Sequence, residues 1–291
     1  MKIIQFLLIV ALIFSLAACK GNAKAEDKSP VVASSSEDTD VLEATEAHND
    51  VKLPTQIDTG VGLEYDTLNR IVKFGEDTVA YHADGSVTIS YDYGDVIRLS
   101  QTGDKISESY DEYTGDVLTY SDYSFIINSD GLIVQAVTLG AQDYVEAPES
   151  RTIVVDYVYQ NGNIMSCTIE RYEYDHGVDW KDSKKLTTHK SSEDVAKYEY
   201  DSKKAPFYNS ATPKWLLHYL FGELSANQNN VTKIKYSGET QEESYYVDKT
   251  YKYTYDKDGF PTGLTIKKNV KGYVAEDEVY EMLYRGTRNI K

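Results

Sequence analysis

Twenty-six tyrosines stand against seven phenylalanines and two tryptophans in this 291-residue chain, and many of them recur two residues apart. Tyr91 and Tyr93, Tyr157 and Tyr159, Tyr172 and Tyr174, Tyr198 and Tyr200, and the row Tyr251, Tyr253, Tyr255 all keep that spacing. In a strand, residues two apart share a face, so each set shows phenols to one side of a sheet. Such rows have a structural use: cross-strand aromatic pairs stabilise a sheet by roughly 0.2–1 kcal/mol each, and a phenol suits a half-wet face. They also have a chemical use, because rings offer apolar area to a small molecule and hydroxyls orient it. Tyr172, Tyr174, Tyr198, Tyr200, Tyr251, Tyr253 and Tyr255 are the candidate ligand-binding set, with Trp215 and His218 facing them from a helical segment.

Other chemistry-bearing residues point away from catalysis. The five histidines (His48, His82, His176, His189 and His218) are scattered, with no pair at zinc-ligand spacing, so no metal site is expected. Cys167 has no base near it in Met165-Ser166-Cys167-Thr168 and reads as a small core residue. Asp256-Lys257-Asp258-Gly259 looks superficially like a calcium loop but lacks the third acidic position and the distal Glu, so it reads as a hairpin turn. There is no G-x-S-x-G, no H-E-x-x-H and no phosphate-binding glycine loop. A glycan hydrolase would need two facing carboxylates, and the acidic runs Glu242-Glu243 and Glu276-Asp277-Glu278 fall in polar turn-like sequence. No catalytic residue is assigned.

The elements that must position the phenols are strands. Asp84-Gly85, Asp130-Gly131, Asn161-Gly162 and Asp258-Gly259 sit between alternating runs, a strong hairpin signal because glycine accepts the positive φ of a tight turn. Turns every 8–15 residues and about a dozen strands predict a mainly all-β domain, an antiparallel meander rather than βαβ units. Long strands such as 162–174 and 244–256 must coil, which predicts a curved sheet or open half-barrel. One segment breaks the pattern: Thr212-Pro213-Lys214-Trp215-Leu216-Leu217-His218-Tyr219-Leu220-Phe221-Gly222-Glu223-Leu224 offers Thr as a cap, Pro at the first helical position and apolar residues almost all round. It predicts a helix over 213–224, buried on most faces and plugging the concave side of the sheet.

The chain opens MKIIQFLLIVALIFSLAAC, a single Lys and an apolar run that ends on Leu16-Ala17-Ala18-Cys19. This resembles the lipobox of bacterial lipoproteins, which implies cleavage before Cys19, acylation of its thiol and a membrane partner held through that residue. Residues 1–18 then form a signal peptide, 19–50 an acidic tether and 51–291 a single antiparallel β domain. The stretch from Lys20 to Asp50 has no aromatic residue and cannot build a core; as a coil it reaches on the order of 30 Å. Lys20 after the cysteine favours an outer-membrane destination, facing either the periplasm or the cell surface. The net charge of −17 repels phosphate backbones and anionic head groups, which argues against a nucleic-acid partner. With Cys19 acylated, Cys167 is the remaining thiol and no internal disulfide can form.

Tyr253-Thr254-Tyr255-Asp256-Lys257-Asp258-Gly259 resembles the tyrosine-aspartate repeats of large bacterial wall-associated proteins. Together with the lipobox, the hairpin array and the Trp-bearing helix before Asn227-Gln228-Asn229-Asn230, the chain is similar to an uncharacterised family of lipoproteins from Gram-negative gut bacteria. That resemblance implies a porphyrin-type ligand and a flat aromatic-lined pocket, with His218 or His176 available to a haem iron. The leading expectation is a non-enzymatic outer-membrane lipoprotein that binds a small flat or amphipathic ligand (a porphyrin, lipid or glycan) on a concave aromatic sheet. A scaffold or protein-interaction module that uses a sheet edge is the alternative, with a surface hydrolase behind it.

Overall fold

The computed structural model describes residues 51–57, 60–110, 122–139, 151–174, 188–239, 244–270, 273–274 and 278–285. The lipobox, Cys19, the tether, His48, His176, Glu242, Glu243, Glu276 and Asp277 lie outside the described residues. The first half of the domain is built from short strands: β1 (Pro54–Ile57), β2 (Val61–Tyr65), β3 (Ile71–Phe74), β4 (Asp77–Tyr81), β5 (Val87–Ser90), β6 (Val96–Thr102), β7 (Lys105–Tyr110), β8 (Asp122–Ile127) and β9 (Ile133–Leu139). Longer strands follow: β10 (Arg151–Gln160), β11 (Asn163–Tyr174), β12 (Thr188–Lys204), β13 (Asn229–Glu239), β14 (Ser244–Tyr255) and β15 (Pro261–Val270). Three short pieces end the chain, β16 (Tyr273–Val274), β17 (Glu278–Glu281) and β18 (Leu283–Tyr284), and helix α1 (Lys214–Phe221) lies between β12 and β13.

From β1 to β16 each strand pairs antiparallel with the next, so the sheet is the expected meander. Its curl goes further than a half-barrel. β17 returns to β15, and β18, just beyond Met282, pairs with β1 through Pro54↔Tyr284 and Gln56↔Leu283. The last strand therefore bridges the two margins of the ribbon, and the sheet nearly closes into a barrel. Bulges at Val158/Tyr159, Arg171/Tyr172, Glu199/Tyr200 and Thr254/Tyr255 bend the long strands and help the curl.

One turn design recurs five times, at Asp66–Arg70, His82–Ser86, Tyr91–Asp95, Asn128–Leu132 and Asp256–Phe260. In each the fourth residue donates its N–H to the first residue's carbonyl, and the first residue's N–H reaches the fifth residue's carbonyl. Asp66, Asn128 and Asp256 also accept two backbone N–H groups each on Oδ1, so these side chains hold the loop as well as starting it. Asp256 holds its own turn and forms an ion pair with Lys52. The Asn161-Gly162 hairpin is tighter: both residues have positive φ, and a Cβ on Gly162 would run into the Gln228 side chain.

Alternation sorts the strands into two faces. Inside lie Phe74, Val79, Ile89, Leu99, Ile106, Phe125, Val155, Ile169, Ile234 and Val247, all buried. Outside, Thr78, Arg98, Asp156, Lys197, Glu199, Lys252 and Lys267 are exposed. The helix is shorter than expected and capped differently. Pro213 occupies the cap position with no side-chain bond to the helix, while the Thr212 hydroxyl accepts the Ile71 N–H at 2.8 Å. Gly222, at φ 83°, ends α1 before the Asn-rich segment begins. Five consecutive residues, Trp215 to Tyr219, are buried, so α1 fills the concave side as its composition predicts. Gly162→Ala is expected to lower the unfolding free energy by about 2 kcal/mol or more, against about 1 for Gly94→Ala, whose Cβ meets open space; urea denaturation of the two variants measures the difference.

Candidate functional site

The inner wall opposite α1 is built from phenols in register. Tyr157, Cys167, Ala196, Tyr236 and Val247 are direct cross-strand neighbours over five strands. A second row runs Tyr198, Ile234, Lys249 and Lys268; a third pairs Tyr251, Ile266 and Glu278; a fourth pairs Tyr253, Leu264 and Tyr280. The segment that carries α1 meets one part of this wall. Its His218 ring stands edge-on to Tyr157 at 5.1 Å, Tyr219 meets Phe125 at 5.9 Å and gives its hydroxyl hydrogen to Glu108, and Phe221 stacks on Phe207 and meets Phe74. Just past the helix, Glu223 accepts the Tyr198 hydroxyl at 2.7 Å, and Tyr198 in turn lies 3.2 Å from the Cys167 thiol.

Glu223 is part-exposed. Burial pushes its pKa up; the Tyr198 bond and the charge of Lys249 moderate the rise. Burial likewise holds the Cys167 thiol and the phenols of Tyr157, Tyr198, Tyr236 and Tyr251 above their ordinary values, so these groups stay neutral. His218 is driven the other way, down to about 4, by the same loss of solvent. Among the described residues its Nδ1 and the Tyr159 hydroxyl have no hydrogen-bond partner. Cys167 has no base beside it and is held as a thiol, an unreactive arrangement.

The structure divides the candidate set. Tyr198, Tyr200, Tyr251, Tyr253 and Tyr255 all lie on the inner wall. Tyr200 donates to the Ile164 carbonyl at 2.7 Å, and Tyr255 donates to Asp201. Tyr172 does not join them: it stands on the outer face, where its hydroxyl meets Glu170 at 2.6 Å. Tyr174 lies in β11, with its side chain outside the described residues. His218 is on the plug against the wall. Trp215 is 5 % exposed and borders a separate cleft of about 690 Å³ at the end of the barrel, beside Gln101, Asp104, Asn128, Asp130, Thr212 and Lys214. Asn128 and Thr212 there are occupied by backbone N–H groups, and Gln101 donates to the Gly103 carbonyl.

The wall that α1 leaves uncovered is the one formed by β14, β15 and β17. Tyr253, Tyr255, Leu264, Ile266, Lys268 and Tyr280 face inward yet remain part-exposed, whereas Tyr157, Cys167, Ala196, Tyr198 and Tyr236 are buried. Together they make a part-exposed stripe of aromatic and aliphatic side chains. Glu223, Lys249, Tyr236, Leu264 and Ile266 were absent from the candidate set. Lys249 was within reach of the same reading, since it sits two residues before Tyr251 and so shares its face. Glu223 carries no such signal, because its position depends on how the segment after α1 folds back.

The fold defines a nearly closed antiparallel barrel with a helical plug. No family model matches the chain, and no curated protein matches it. Among solved structures it is similar to a porin-like protein from Bacteroides vulgatus, with a TM-score of 0.50 at 14% identity, over 81% of this chain and 100% of that one. A porin-like protein from Bacteroides uniformis also aligns, with a TM-score of 0.31 at 12% identity over 72% of this chain and 88% of that one. The first likeness is one of fold.

The buried titratable pair has a pH signature. Unfolding lets His218 take a proton at its ordinary value near 6.5, whereas folded it does so only near 4, so stability is lost as pH falls between those values, by up to about 3 kcal/mol. Glu223 has the opposite sign: its raised pKa contributes stability at low pH that is lost as pH climbs above 4.5. His218→Phe is expected to flatten the acid limb, and Glu223→Gln to gain stability relative to the parent at neutral pH. Urea midpoints from pH 4 to 8 read both slopes.

Proposed function

We propose that this chain is a lipid-anchored binding protein of the bacterial envelope, whose barrel stays in water and captures a small amphipathic or flat molecule against the inner face of β14, β15 and β17. The observation that carries the reading is the trough itself: apolar and aromatic residues that face inward are left part-exposed where the plug does not reach. Apolar sides with a few placed polar groups are the usual make-up of a small-molecule site. A porphyrin or a lipid has the shape and apolar surface for it. The polar, hydroxyl-rich cleft beside Trp215 suits a glycan better, but several of its groups are occupied by the turns that form it.

The polarity of the two faces supports a barrel outside the bilayer. A membrane-spanning barrel turns an apolar band outward and keeps its lumen polar. Here Arg98, Lys197, Glu199, Lys252 and Lys267 point out, and the lumen holds an apolar helix and aromatic side chains. Contact with lipid therefore falls to acylated Cys19 at an outer membrane. The scaffold reading has less to stand on, because the margins of the sheet meet through β18, and β17, a short edge, carries exposed Glu278 and Glu281. A protonated thiol and a histidine that do not touch each other give no nucleophile, which favours binding over catalysis.

Two measurements test this. The parent is expected to take up labelled palmitate in cells and Cys19→Ser to take up none; a parent without label would remove the lipid anchor. The chain from residue 19 with Cys19→Ser is expected to gain thermal stability with at least one of haem, protoporphyrin, long-chain lipids or soluble glycans, and Leu264→Trp, which fills the trough, to lose at least tenfold in affinity. A panel without any shift, or an affinity unchanged by Leu264→Trp, would overturn the assignment of the site.

A further inference from the structure

Lys249 lies on the inner face of β14 between Val247 and Tyr251 and is 9 % exposed. A lysine so far from water ordinarily has a carboxylate against it, because an unpaired ammonium is poorly tolerated in an apolar surrounding. Lys249 has no acid within ion-pair distance among the described residues; its Nζ stands 5.4 Å from the centre of the Tyr236 ring. Scarcity of acids does not explain this in a chain with 47 of them against 30 lysines and arginines.

A second cation makes the arrangement costlier. Lys268 is directly opposite Lys249 in the ladder and shares its face, a like-charge pairing that destabilises a sheet. The acids whose charge reaches Lys249 are Glu223 on the plug and Glu278 on β17. Both accept phenol hydroxyls, Glu223 from Tyr198 and Glu278 from Tyr280. Two cations in register, one of them more than nine-tenths buried, thus head a rail of apolar residues: Tyr251, Tyr253 and Tyr255 follow Lys249 along β14, and Ile266 and Leu264 run beside them on β15. At the rise of a strand this rail is about 20 Å long.

We propose that Lys249, assisted by Lys268, receives the negative head of the ligand, and that the ligand is accordingly an amphipathic monocarboxylic acid whose apolar body lies along β14 and β15. This rests on the trough being the binding site. It adds a selection rule: a neutral head leaves the ammonium unpaired, and a cationic head meets two like charges.

Dodecanoate and 1-dodecanol differ in the head and share the chain, so calorimetric titration of the chain from residue 19 carrying Cys19→Ser separates the two ideas. Dodecanoate is expected to bind at least tenfold tighter than the alcohol. Lys249→Met should bring the two within threefold, chiefly by weakening the acid, while Lys249→Arg keeps the preference. Lys249→Met removes a desolvated charge and is expected to melt no lower than the parent, which a thermal scan confirms before binding is read. Equal affinities for acid and alcohol in the parent, or a preference that survives Lys249→Met, would overturn the anion site while leaving the trough as a binding site. Binding of neither probe would overturn this inference, while the wider ligand panel and Leu264→Trp decide the trough separately.

Discussion

A curled ribbon of strands cannot stay curled around nothing, and the segment from Ala205 to Gln228 is what the rest of this barrel depends on. Its apolar residues give the inner faces of β3, β8, β10 and β12 something dry to pack on, and its polar residues tie it to the strands' ends. Asn209 reaches the Lys52 carbonyl, the Thr212 hydroxyl takes the Ile71 N–H, the Asn227 side chain takes the Ile164 N–H, and the Gln228 N–H meets the Asn163 side chain. Each bond satisfies a backbone or side-chain group that would otherwise be stranded near the core. Burial of the helix and closure of the sheet are in this sense one event. The asymmetry of the filling matters as much as its presence, since the plug leans on one side and leaves the other only partly covered.

Much of this was legible from residue types. Period-two tyrosines and Asp-Gly or Asn-Gly turns predict antiparallel hairpins, and the apolar run around Trp215 predicts a buried helix, because both signals are local and rest on backbone geometry. What was not legible depends on distant partners. Tyr172 and Tyr198 look alike in sequence, yet one faces Glu170 outside and the other faces Glu223 inside, a choice made by strand register rather than by the Tyr-x-Tyr motif. Thr212 looks like a helix cap but serves β3 instead, since a tertiary donor was available to it. Near-closure of the sheet hangs on two residue pairs between β1 and β18, a contact between opposite ends of the domain that no local pattern announces.

Charge is distributed with the same division between outside and inside. On the exterior, acids and bases stand together, with Asp156, Glu199, Arg98, Lys197 and Lys267 all exposed, and the chain as a whole is negative at −17. Inside, Arg171 and Asp194 pair with each other close to the wall, and Glu223 and Lys249 stand apart among phenols that remain neutral. Low polarity around those two groups strengthens whatever electrostatic contact they make.

The pairing of β18 with β1 sets an order for assembly. Any polypeptide that emerges from its amino terminus presents Pro54 and Gln56 long before Leu283 and Tyr284 exist to receive them, so the seam is sewn last. Until then the sheet has two raw margins and an unsealed lumen, which are hazards for self-association. Loss of β18 would consequently harm the beginning of the domain, leaving its first strand paired along one edge only, rather than merely shortening its end.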